Sequence, residues 1–134
     1  MKDLIQFSTA KLGNEGVKID LTDADGKPTK HWIKILSIDS TAFKVAQAKF
    51  RKAIVVMQEN SPEGADLLEL NEDSEKETRR LLASLVVGWS FRNDDGTPYD
   101  CNQVNVMKVL KDAPILATEI DEASVQRKNF IKSN

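Results

Sequence analysis

The apolar residues of this 134-residue chain change their spacing once, and that change restricts the fold more than any other feature. Val17, Ile19 and Leu21 alternate with Lys18 and Asp20, the period of a half-buried strand. HWIKILSI, from His31 to Ile38, is a second run rich in β-branched and aromatic residues. Between them, Asp23-Ala24-Asp25-Gly26-Lys27-Pro28 supplies turn chemistry, with a glycine free to take positive φ. The two runs predict a β-hairpin over 17–38, and from Ser40 onward the spacing is helical. An isolated hairpin is marginal in water, so helices or a third strand must cover it.

The helical part divides at its caps and prolines. A helix over 40–60 starts at Asp39 or Ser40, either of which can cap free amides. Phe43, Ala46, Phe50, Ile54 and Met57 give it one apolar stripe, and Asn60-Ser61-Pro62 ends it. An acidic loop is expected over 62–73, then a helix over 74–88 with Leu81, Leu82, Leu85, Val86 and Trp89 as its buried face and Gly88 at its end. Two short helices are expected over 102–131, the first capped by Asn102 and the second opened by Pro114. Residues 3–13 read as a weak helix with Leu4, Ile5, Phe7 and Leu12 as anchors. The expected class is therefore α+β in a single domain, 1–134: predominantly helical, with about four helices, and an N-terminal hairpin.

Composition narrows the function classes. The net charge is −2 and the pI is near 5.5, which argues against nonspecific nucleic-acid binding. Charge is nevertheless segregated. Lys27, Lys30, Lys34, Lys44, Lys49, Arg51 and Lys52 face only Asp39 within 27–52, whereas Glu59, Glu63, Asp66, Glu69, Glu72, Asp73, Glu75 and Glu77 face only Lys76 within 59–77. Separately solvated segments explain this, and opposed patches that steer a weak head-to-tail contact between copies are the sharper reading. Cys101 is the only cysteine, so no intramolecular disulfide forms and a reducing compartment fits. No stretch approaches the ~18 apolar residues of a membrane span, and the N-terminus lacks the apolar core of a secretory signal.

Chemistry finds little to use, and the reading is of a protein that is not an enzyme. Placing Gly26 sixth in a calcium loop puts Leu21 first and Trp32 twelfth; placing Gly96 sixth puts Phe91 first and Asn102 twelfth. None of the four is an acidic ligand that completes such a loop, so both segments are turns and no metal is expected. His31 beside Trp32 is expected as a satisfied, partly buried histidine, with no local base role. Cys101 has no local cation to lower its pKa. Phosphate loops of the GxGxxG and GxxxxGK types do not occur, so no cofactor is expected. Trp32 between Lys30 and Lys34 is explained by a buried strand tryptophan with solvated flanking lysines.

The order of the parts resembles the tail assembly chaperones of long-tailed bacteriophages. The match comprises a hairpin with a DGxP turn (DADGKPTKHWIKI) and an Asp-Ser entry into a Lys/Arg-rich helix (IDSTAFKVAQAKFRKA). After an acidic linker come an Ala-Leu-rich helix ending in Gly-Trp (LLASLVVGWSF) and a second DG turn at Asp95. A Leu-containing helix, Pro114, Ile120-Asp121-Glu122 and Asn129-Phe130 close the set. The resemblance implies binding to the tape measure protein, with contact to the tail tube protein also open, in the host cell cytoplasm and absent from the mature virion. Many such chaperones have a longer frameshifted form, and this chain, ending just after Asn129-Phe130, looks like the short one. A head–tail joining or tail-completion subunit is the alternative, and a bacterial interaction module with no phage link a third. Phe130 and Ile131 are candidate partner contacts, unless they dock on their own domain.

Overall fold

The computed structural model describes residues 2–60 and 67–131. A 3₁₀ turn, Lys2–Phe7, leads into a short helix α1 (Ala10–Glu15), then strands β1 (Val17–Thr22) and β2 (Pro28–Ile35). The chain continues through α2 (Thr41–Glu59), α3 (Leu67–Ala83), strand β3 (Val86–Trp89), α4 (Gln103–Asp112) and α5 (Pro114–Val125). A last 3₁₀ turn spans Arg127–Phe130. The class is α+β and mostly helical, with the hairpin where the alternating run lies.

The hairpin forms because its turn is chemically closed. Asp23 accepts the backbone N–H of both Asp25 and Lys27 through one carboxylate oxygen, at 2.9 Å each. Gly26 takes φ 80° there, which a side chain disfavours. Antiparallel pairing sets Ile19 opposite Ile33 and Lys18 opposite Lys34. Leu21, on the face of Val17 and Ile19, is the buried residue of β1, and the register shifts between Asp20 and Thr22.

The third strand that an isolated hairpin needs is β3, paired antiparallel to β2 with Trp89 opposite Ile33 and Val86 opposite Ile35. The sheet order is β1-β2-β3. Here the expected helix over 74–88 is corrected: α3 ends at Ala83, and Gly88 and Trp89 lie in a strand. A run as apolar as LLASLVV serves a helix or a strand equally, and pairing with Ile33 and Ile35 decides for the strand. The acidic loop is corrected as well. Residues 67–73 belong to α3, while 62–66 lie outside the described residues.

One face of the sheet carries the core. Ile33, Ile35, Leu85, Val86 and Trp89 pack with Val106, Leu110, Ile120 and Phe130 in one buried cluster. The caps fall where the sequence puts them: Ser40 Oγ accepts from Phe43 N at 3.2 Å, Asn102 Oδ1 accepts from Asn105 N at 2.9 Å, and Pro114 opens α5. Phe130 is fully buried, so the closing turn docks on its own domain beside α1. That removes Phe130 as a partner contact and leaves only Ile131 partly exposed.

Candidate protein-docking surface

The predicted stripe of α2 is real, but it is only half covered. α2 packs chiefly against α3, and none of its nineteen residues is buried. Phe43, Ala46, Phe50, Ile54 and Met57 are intermediate in exposure. Outside the stripe, Val45 is 53%, Val55 49% and Val56 44% exposed. Ala42, Val45, Lys49 and Val56 recur at three- to seven-residue spacing, a second flank that sequence reading missed because Lys49 interrupts it. The last turns, Ala53-Ile54-Val55-Val56-Met57, are apolar on every side.

Beside that second flank lies an open groove of about 560 Å³, walled by α2, α3, β3 and the segment before α4. Its apolar lining includes Ala42, Val45, Phe50, Leu81, Val86 and Val87. On its rim Arg80 pairs with Glu77 at 2.6 Å, while Lys49 carries the remaining positive charge. Cys101 also lines it, and burial pushes that thiol's pKa up, so it behaves as a small apolar side chain. With 74–88 expected as one helix, nothing in the sequence brings Val86, Val87 and Cys101 to α2.

The groups weighed for chemistry fall elsewhere. His31 is exposed on β2, not partly buried as expected, with Nδ1 3.1 Å from Ser90 Oγ and its ring tilted against Phe91. Ser90 Oγ already accepts the Trp32 N–H at 2.9 Å, so it serves the junction of β2 and β3. Trp32 is half-buried on the outer sheet face, where Lys18 Nζ sits 4.1 Å from its ring centroid; the expected buried indole is corrected. In the second turn, Asp95 accepts from the Thr97 N–H at 3.0 Å and the Thr97 hydroxyl at 2.6 Å. Those bonds lower the Asp95 pKa and spend the carboxylate on the turn. Among the described residues, no group of three or more His, Cys, Asp or Glu could hold a metal ion.

The segregated charges end up side by side. Lys44, Lys49, Arg51 and Lys52 lie on α2 and Glu72, Asp73, Glu75 and Glu77 on α3, the helix it packs against. Lys30 and Lys34 stand apart on β2. Among the described residues, no helix is long and apolar enough to cross a membrane. The chain matches no family model, no curated protein and no solved structure.

Proposed function

We propose that this chain is a phage tail assembly chaperone that binds the tape measure protein and keeps its apolar helical segments in solution until the tail tube assembles around them. The observation that carries the reading is the apolar side of α2 left open to water, above all Val55 and Val56 on its last turns. A holdase needs such a surface and no reactive group, and weak contacts repeated by many copies along one long ligand add through avidity. The ordered set of sequence features, from the first DGxP turn to Asn129-Phe130, supplies the identity of the partner. Residence in the host cytoplasm and absence from the finished particle belong to the same proposal.

Co-expression tests it. The tape measure protein should gain soluble yield in the presence of this chain, and the two should co-purify. Equal aggregation with and without the chain, and no co-purification, would refute the reading. Recovery of the chain from purified particles would assign it instead to a head–tail joining or tail-completion role.

A further inference from the structure

The N-terminal 3₁₀ turn presents three large apolar side chains to water: Leu4 is 61%, Ile5 72% and Phe7 68% exposed. The root of this arm is fixed. Behind it α1 is held by Ser37 N donating to Gly13 O at 3.0 Å and Thr41 N donating to Asn14 Oδ1 at 2.9 Å. The arm thus projects from an anchored helix, with its apolar side chains uncovered. Together those side chains expose roughly 350–400 Å² of apolar surface, in the range of the largest patch on a typical monomer, which is often functional. The same chain carries the α2–α3 groove of about 560 Å³, also apolar and also open. Three side chains of these types fill roughly 350 Å³ at interior packing density, so the groove can seat them.

We propose that two copies of this chain exchange their arms, Leu4, Ile5 and Phe7 of each seated in the α2–α3 groove of the other. Area argues for the reciprocal pair. One arm in one groove buries roughly 500 Å² counting both sides, below what a specific contact needs, whereas two reach roughly 1,000 Å², the lower bound for a specific interface. A two-fold pair also closes, leaving neither arm nor groove open. The contact is apolar, so it persists at ~1 M salt, unlike one built on the segregated charges. It needs only the arm and the groove, and stands or falls separately from the tape measure reading.

The test uses the full chain alone. Sedimentation equilibrium should show a dimer that survives high salt, and Leu4→Ser with Phe7→Ser should raise its Kd about 100-fold or more. These positions are exposed, so the paired variant keeps its circular dichroism spectrum as a folded monomer and loses only the concentration-dependent part of the melting temperature that dimerisation adds. Cys101 lines the groove and is the only cysteine, which makes it a reporter. Gln6→Cys should form a disulfide-linked dimer under mild oxidation, lost when Cys101→Ser is added. Any of three results overturns the proposal: a wild-type chain that stays monomeric at about 100 µM, a disulfide formed within one chain, or Gln6→Cys dimers that persist without Cys101.

Discussion

The indole of Trp89 lies parallel to the ring of Tyr99, centroids 5.6 Å apart and planes within 3°, while its Nε1–H donates to the Tyr99 carbonyl oxygen at 2.6 Å. A strand residue is thereby tied twice to the segment that leads into α4. The stacking and the hydrogen bond use different parts of the side chain, so substitution can separate them.

Trp89 is 8% exposed and sits in the central cluster. Trp89→Ala should therefore cost about 3–5 kcal/mol, through lost burial and the cavity left behind. Trp89→Phe keeps an aromatic ring but orphans the Tyr99 carbonyl, and should cost about 1–3 kcal/mol. Urea titration of both variants checks the order; a Trp89→Phe variant as stable as wild type would mean that the hydrogen bond contributes nothing.

Two glycines should respond differently to the same change. A Cβ on Gly13 would come within 2.9 Å of the Cβ of buried Ser37, so Gly13→Ala meets a steric wall. Gly26 has open space around it but takes φ 80°, so its constraint is the backbone alone. Gly13→Ala should cost about 1–3 kcal/mol by overpacking. Asn tolerates left-handed backbone and should be accepted at Gly26 with little loss, whereas Gly13→Asn should be worse than Gly13→Ala. Melting temperatures of the three variants give the comparison.

The hairpin and most helix starts were legible because their determinants are local: alternation at Val17–Leu21, turn chemistry at Asp23–Gly26, and caps at Ser40 and Asn102. What stayed hidden depends on contacts distant in sequence. Val86–Trp89 is a strand because β2, fifty residues earlier, offers Ile33 and Ile35 as partners. Leu67-Leu68-Glu69-Leu70 are strong helix formers, but the acidic stretch in which they lie reads as a loop, so the helix is expected later than Leu67. The groove followed the strand out of view. Its α2 wall is written in the spacing of Ala42, Val45 and Lys49, while its β3 wall exists only after folding.

The Asp39–Arg127 pair links the entry to α2 with the closing turn. Arg127 Nε and Nη2 donate to the two Asp39 carboxylate oxygens at 2.7 and 3.0 Å. The hydrogen bond from Arg127 holds the Asp39 pKa below its ordinary 3.8. A depressed carboxylate stabilises the fold fully above its unfolded pKa, and that contribution disappears as pH falls through the folded value. Asp39→Asn should therefore lower the urea midpoint slightly at pH 7, and the gap to wild type should close below about pH 3.8. Both groups are partly exposed to solvent, so the effect is small and high salt should shrink it further. A gap that widens on acidification would contradict this account.

The last turns of α2 offer a way to remove partner binding without touching the core. Val55 and Val56 are 49% and 44% exposed, and the helix they sit on has no buried residue. Replacing both with Asp puts two charges on a solvated surface, where a substitution usually changes stability by no more than about 0.5 kcal/mol. At a docking surface the same charges would have to be desolvated against an apolar partner, a cost of several kcal/mol. Val55→Asp with Val56→Asp should thus fold normally, judged by circular dichroism and urea midpoint, yet fail to raise the soluble yield of the tape measure protein. The arm variant Leu4→Ser with Phe7→Ser supplies the contrast, since it alters self-association and leaves these valines in place. If the Asp pair keeps full solubilising activity, the last turns of α2 are not the client surface.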